Sequence, residues 1–572
     1  MRTPCQPAIA AKDLPMRNIS LTLALAAALA SQTASAATPP EPAEFARYAE
    51  TLLTDAYRPD APGVAVLVMR GDEVLYRGAR GEADLAADVP LKPGDVFRIG
   101  SVTKQFAAVG LLTLVDAGKV ALDDPLSNYL PDYPGGEKIT IEQLLNHTSG
   151  IKSYTDIPGV FDGPIRRDLT TTQMLDYFRD VPPDFAPGAA WHYNNSGYVL
   201  VGAVIEAASG QPWHQYLDKT LFEPLGMKHT GYGADPAAIA HQVKGYITAG
   251  GTPEPAQPIS MTQPHAAGAL VSTVDDLAIW NSALHEGKVL KPETYARMIT
   301  PVGKAMDVGY GFGIETGAVR GTPALGHSGG IPGFNSQLTY VQGPDITVAV
   351  LQNNETPGPT QESRGLARRL AAAALGDPYP AMTPVAVDAA VLKQYEGIYR
   401  VDETATRTLR VVDGKMTVHR TDRAREDLVA IADGTFLYSD GFSRIEMERD
   451  AAGKVTGMRL FSEGEGEGDV APRTNDPLPM PITLPRETLE RLVGVYRMKD
   501  EEMTISIEGD GLSGHIKGQP QAVPFVAMSP TRFTGDIVGA ELLFAPETGP
   551  VRSVGLRQWG STMTFERVPA PE

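Results

Sequence analysis

The apolar positions of this chain follow two different rhythms. From about residue 40 to 375, helical and strand-like patterns alternate, as in an α/β or α+β domain. Val64-Ala65-Val66-Leu67-Val68, the turn Arg70-Gly71-Asp72 and Val74-Leu75-Tyr76 predict two strands joined tightly. Gln105 to Ala117 is apolar nearly all round, broken only by Gln105, Gly110, Thr113 and Asp116. A helix with so little polar surface has to be buried on most sides. It should stop at Gly118-Lys119. Gly309 to Ile314, Ser336 to Gln342 and Ile346 to Gln352 read as further strands, followed by a helical Arg364 to Leu375.

Beyond Gly376-Asp377-Pro378-Tyr379-Pro380 and Pro384, which read as a linker, short strands with closely spaced turns take over. An internal repeat marks this region. Leu392…Gly397-Ile398-Tyr399-Arg400 recurs 97 positions later as Leu489…Gly494-Val495-Tyr496-Arg497, and Phe436 matches Phe533 at the same offset. Gly457-Met458-Arg459 matches Gly555-Leu556-Arg557 at an offset of 98, and Pro477, Pro479, Pro481 and Pro485 separate the copies. Two small antiparallel barrels are expected, at 386–476 and 486–572, folding as independent units. The acidic run Glu463 to Asp469 lacks the ligand spacing of a calcium loop and reads as a solvated strand-end loop.

Composition narrows the function. The 572 residues carry a net charge of −19, with 42% hydrophobic and 21% charged residues, which excludes disordered, collagen-like and polytopic membrane classes. Acidity spread along the chain argues against a nucleic-acid partner. The single cysteine, Cys5, excludes a disulfide framework, and the ten scattered histidines show no metal-ligand spacing, so neither metal nor cofactor is expected. Arg17, the apolar Ile19 to Ala30 and Ala34-Ser35-Ala36 have the layout of an export signal over residues 1–36. The apolar run is short for a membrane span. The mature chain would then be periplasmic or secreted, with no membrane span and no thiol.

Three short stretches carry candidate chemistry. Ser101-Val102-Thr103-Lys104, at the start of the buried helix, places a hydroxyl and an amine on one helical face. A serine needs a base to become a nucleophile. Burial disfavours the charged lysine, so Lys104 could be neutral near neutral pH and accept the proton of Ser101. The spacing alone proves little, because Ser149-Gly150-Ile151-Lys152 has it too, on a segment where no helix is predicted. Tyr193-Asn194-Asn195 sets a phenol and an amide two residues apart on an extended loop, suited to proton transfer and to holding a carbonyl. Gly326-His327-Ser328-Gly329-Gly330 matches the G-x-S-x-G elbow of α/β-hydrolases, but Pro332 and Gly333 forbid the helix that an elbow must enter. A strand edge with His327 facing a cleft is the alternative.

Ser101-x-x-Lys104, Tyr193-x-Asn195 and His327-Ser328-Gly329, in that order, resemble the signature of the penicillin-recognising serine hydrolases. These include class C β-lactamases, D,D-peptidases, related esterases and D-aminopeptidase. Leu144 to Gly150 and Ala267 to Thr273 resemble the same family, and the likeness spans roughly residues 45 to 375. It implies a catalytic domain over 37–377 with a five-stranded antiparallel sheet beside a helical region, followed by two lipocalin-like barrels. It also implies Ser101 as acylated nucleophile, Lys104 as its activating partner, Tyr193 as proton relay and Asn195 as the group orienting the substrate amide. Gly329 and Gly330 would line the substrate, and the amides of Ser101 and Gly330 would hold the oxyanion. Whether Lys104 or Tyr193 is the base stays open. His327 stands where lactamases usually carry lysine, and no Lys or Arg lies between Arg320 and Arg364, so carboxylate recognition looks weak. With the trailing barrels, this is similar to D-aminopeptidase, although the segment His515 to Ala522 looks shorter than the loop that reaches that enzyme's site. The expected partner is a small amide, peptide or ester. Short-chain esterase, β-lactamase or D,D-peptidase activity is the alternative, as is a non-catalytic binding protein on the same fold.

Overall fold

The computed structural model describes residues 38–569, apart from 158, 161–165, 250, 380–382, 404, 422, 439–441, 463, 499–500, 518–521, 536–537 and 559–560. The expected export signal, Cys5 and the middle of His515–Ala522 therefore lie outside the described residues.

The N-terminal half is built on one antiparallel sheet of six strands, β1 (Val64–Arg70), β2 (Glu73–Arg80), β3 (Glu315–Val319), β4 (Thr322–Ile331), β5 (Phe334–Val341) and β6 (Ile346–Gln352), in the order β3-β4-β5-β6-β1-β2. The continuous apolar run of β1 reflects burial on both faces. Val64, Val66 and Val68 join one core with Phe45, Ala49 and Leu53 of helix α1 (Pro42–Ala56), whereas Ala65 and Leu67 face the other core. The second core is the helical region around α2 (Thr103–Asp116) and α3 (Asn195–Ser209). Helix α2 is buried from Thr103 to Leu112, as its apolar circumference requires.

Two expectations change here. Gly309 to Ile314 is not a strand: Gly309 and Gly313 both take φ +67°, which an L side chain rarely adopts, and the segment loops against Lys104, whose carbonyl would lie 2.6 Å from a Cβ at Gly313. The strand begins at Glu315 instead and pairs with β4, giving a sixth, edge strand where five were expected.

The repeat is two eight-stranded antiparallel sheets. The first runs from Gly397 to Pro472, its outer strands meeting through the bridge Tyr399–Arg473; the second closes fully between Gly494–Met498 and Ser561–Arg567. The copies share their internal supports. Tyr399 and Tyr496 are both fully buried and donate to the carbonyl four residues back, Tyr395 at 2.7 Å and Leu492 at 2.6 Å. Arg473 and Arg567 each donate to the backbone before the first strand, at Glu396 and Val493. The acidic loop is not merely solvated. Glu465 reaches the N-terminal half, accepting from Arg368 (2.6 Å), the Arg320 amide (2.9 Å) and Tyr379 (3.2 Å). The first barrel thus contacts the N-terminal half through this carboxylate.

Candidate active site

The two glycines beside the nucleophile explain how the site is assembled. Ser101 sits in a 3-10 turn, Gly100–Val102, that leads into α2. Gly100 has φ +49°, and a Cβ there would lie 3.0 Å from the amide nitrogen of Gly330. At Gly329 a Cβ would strike the Ile99 carbonyl at 2.1 Å. Only glycine lets the end of β4 close on this turn and bring Gly330 beside the peptide of Ser101.

Lys104 is completely buried. Its Nζ lies 2.8 Å from Asn195 Oδ1, 2.9 Å from the Ala267 carbonyl and 3.1 Å from Ser101 Oγ. The first two atoms can only accept. A neutral amine has two N–H bonds for them and one lone pair, which then faces the Ser101 hydroxyl. No carboxylate contacts this amine among the described residues, and burial holds its pKa well below the ordinary lysine value.

Tyr193 stands beside the same pair, its ring 4.7 Å from Lys104 Nζ. Burial drives its phenol pKa far up, partly offset by a hydrogen bond with Ser101. It is therefore a protonated phenol at neutral pH. Asn194, between the two motif residues, caps α3 by accepting from Gly197 N–H at 2.7 Å. Asn195 is thus the first helical residue rather than part of an extended loop. Its amide is already engaged at both ends, Oδ1 with Lys104 and Nδ2 with Thr155 Oγ1 at 3.2 Å. Its observed contacts hold the lysine, and its second amide N–H and second oxygen lone pair stay available for a substrate.

His327 is buried on β4, which turns directly into β5, so Ser328 sits on a strand and no elbow forms. Nδ1 lies 2.6 Å from the Ser328 carbonyl and must carry the proton; Nε2, 2.8 Å from the Tyr310 hydroxyl, accepts from it. Burial lowers the His327 pKa, with the Glu315 charge opposing, so the ring is neutral at neutral pH. The structure thus brings Ser101, Lys104, Tyr193, Asn195, His327, Gly329 and Gly330 into one locality.

Tyr310 went unnoticed in the sequence. Its ring also packs 4.6 Å from His147, whose Nδ1 accepts from the Asn194 amide at 3.2 Å. Arg98 was missed too. Its guanidinium stands 5.6 Å over Phe334 and lines, with Lys244 and Pro332, a cavity of about 710 Å³. The second Ser-x-x-Lys is a different object. Lys152 Nζ pairs with Asp184 at 3.1 Å, and Ser149 Oγ only accepts weakly from Ile151 N–H at 3.4 Å. Asp156, Asp184 and His192 cluster there, with Lys152 supplying a cation.

A nucleophile, a buried amine and a phenol around one hydroxyl define a serine hydrolase site. The Beta-lactamase family model matches residues 45–373, and the chain belongs to that family. Over 479 residues it is 26% identical to D-aminopeptidase of Gluconobacter oxydans, covering 80% of this chain and 84% of that one. Penicillin-binding protein 4* of Bacillus subtilis is 25% identical over 401 residues, 65% of this chain and 87% of the relative. Among solved structures, D-amino acid amidase from Ochrobactrum anthropi complexed with D-phenylalanine superposes with a TM-score of 0.52 at 26% identity, covering 58% of this chain and 98% of that one.

Proposed function

We propose that this chain is an exported hydrolase of D-aminopeptidase type, acting on amides or short peptides with a free N-terminal ammonium through an acyl-enzyme at Ser101. The observation that carries the mechanism is the environment of Lys104: two carbonyl acceptors, one serine hydroxyl and no carboxylate among the described residues. Neutral Lys104 takes the Ser101 proton as Oγ attacks the substrate carbonyl. The amides of Ser101 and Gly330 hold the developing oxyanion, a contribution of about 3–4 kcal/mol in acyl-transfer enzymes. Tyr193, a phenol rather than a phenolate, gives its proton to the leaving amine and is recharged from Lys104. Water then cleaves the ester by the reverse sequence. This assigns the base to Lys104 and the acid to Tyr193.

The substrate class rests on charge and on the named relatives. His327 is neutral, and the Glu315 carboxylate, which Arg364 answers loosely at 3.7 Å, still acts electrostatically on Tyr193, Tyr310 and His327 and so supports a nearby ammonium. Relatives named D-aminopeptidase and D-amino acid amidase agree with that preference. Export rests on the pattern of residues 1–36; among the described residues no helix is long and apolar enough to cross a membrane. Arg98 and Lys244 support a second reading, in which a carboxylate-bearing substrate such as a β-lactam is accepted.

Purified protein assayed against D-alanyl p-nitroanilide, p-nitrophenyl acetate and a chromogenic cephalosporin separates these readings. Highest kcat/KM is expected for the D-alanyl amide. Preference for the cephalosporin over both others would establish the second reading and refute the first.

A further inference from the structure

We propose that the cleft between the two barrels binds a single-chain amphiphilic anion, an alkyl or acyl chain ending in a carboxylate or phosphate. The cleft holds about 470 Å³, within the range of small-molecule sites, and no residue of the catalytic cluster lines it.

One wall is the outer face of the strands Thr406–Val412, Lys415–Arg420 and Arg425–Ala432. Leu409, Met416, Val418 and Leu428 fill the barrel core, so the alternation turns Thr408, Arg410, Thr417, His419 and Arg425 into the cleft. The register sets His419 directly between Thr408 and Arg425, and Arg410 opposite Thr417. Two guanidinium groups and an imidazole thus share one face. Two half-buried guanidinium charges on one face call for something of opposite charge to answer them. Among the described residues none of the three has an ion pair or side-chain hydrogen bond, and Asp427, the next described acid on that face, lies 3.5 Å from Lys415. For a chain with 69 acidic residues against 50 Lys+Arg, three half-buried bases without a carboxylate form an unusual local surplus.

The facing wall has the opposite character. It presents Pro479, Pro481, Pro524, Val526 and Met528, with Val526 44% exposed, and at its edge Thr534 and Arg532. Its one acid among the described residues, Glu541, is occupied by Arg532 and Arg557, each at 2.9 Å. The turn at Gly539 rests against the backbone of Arg423 and Ala424, which joins the two walls at one end. A small inorganic anion would answer the cations but leave the aliphatic wall wet. A neutral lipid would cover that wall and leave the bases unanswered. An amphiphilic anion meets both demands.

Titrating the full chain with 11-(dansylamino)undecanoic acid tests this. Saturable, blue-shifted emission is expected, displaced by laurate or by dodecyl phosphate but not by dodecanol; the better displacer identifies the headgroup. Arg410→Gln combined with Arg425→Gln should weaken the probe at least about tenfold, with the melting temperature and D-alanyl anilide hydrolysis unchanged. Should that double variant fold poorly, Val526→Glu on the facing wall should give the same loss. Unchanged affinity in the folded variants, equal displacement by dodecanol, or loss of binding after phosphonylation of Ser101 would each overturn the proposal.

Discussion

Ser101–Lys104 and Ser149–Lys152 have the same spacing and opposite chemistry. Lys104 is fully buried between two carbonyl oxygens and a hydroxyl. Lys152 is about a quarter exposed, and Asp184 answers its charge at 3.1 Å. Burial without a carboxylate disfavours a third proton on Lys104; the carboxylate beside Lys152 favours one. Spacing brings a serine and a lysine within reach. What surrounds the nitrogen decides whether the pair can react.

The largest effects should come from breaking the first pair. Ser101→Ala should abolish labelling by a serine-directed phosphonate and lower kcat on the order of 10⁴-fold or more. Lys104→Met should cost a factor of roughly 10²–10⁴, in kcat rather than KM. Either variant retaining near-native turnover would end the comparison.

Tyr310→Phe comes next. Without that hydroxyl, Nε2 of His327 loses its donor, so kcat/KM should fall roughly tenfold, about the worth of one buried hydrogen bond. The His327 pKa should also rise, because the free nitrogen can then take a proton more easily. The imidazole resonances in an NMR titration report it; an unshifted titration would show that Tyr310 does not hold the ring.

The two lysines should differ in stability as well. Lys104 has a folded pKa below its unfolded value, so above the folded pKa and up to the ordinary value near 10.5 the unfolded chain carries a proton that the fold refuses. Stability therefore rises with pH through that window, with a slope of up to about 1.4 kcal/mol per pH unit from this one group. Urea melts between about pH 7 and pH 9 should show the slope in the native protein and in Lys152→Met, and a smaller one in Lys104→Met. His265 and His285, both pushed down to about 3 by burial, add a second window. There stability falls as pH drops from about 6.5 toward 3.

The smallest effects belong to the second pair. Ser149→Ala and Lys152→Met should leave phosphonate labelling intact and change kcat/KM less than about threefold, since a partly exposed ion pair is worth roughly 0–1 kcal/mol.

What the sequence made legible follows the same logic. Ser101, Lys104, Tyr193 and His327 could be singled out because each lies in a short motif of side-chain chemistry, and the structure brings the four together. The paired barrels could be found because Tyr399 and Tyr496, like Phe436 and Phe533, repeat one core position. The reading failed where a role depends on backbone conformation or on distant partners. Gly309 to Ile314 alternates glycine with Tyr310, Phe312 and Ile314, which mimics a strand, yet two glycines at positive φ bend it into the loop that carries Tyr310 to His327. Strand β3 was hidden because Glu315 to Val319 has almost no apolar side, as suits an edge. Glu465 looked solvated because its partners, Arg320 and Arg368, lie 145 and 97 residues away.

The central claim is that Lys104 is an uncharged amine in the resting enzyme. Labelling the lysine side chains with ¹³C at Cε and titrating by NMR tests it directly, with the Lys104 signal assigned as the one missing from Lys104→Met. At about pH 8 that signal should already have the shift of a neutral amine while the Lys152 signal keeps that of an ammonium. A Lys104 signal that titrates near 10.5, together with the exposed lysines, would contradict the account.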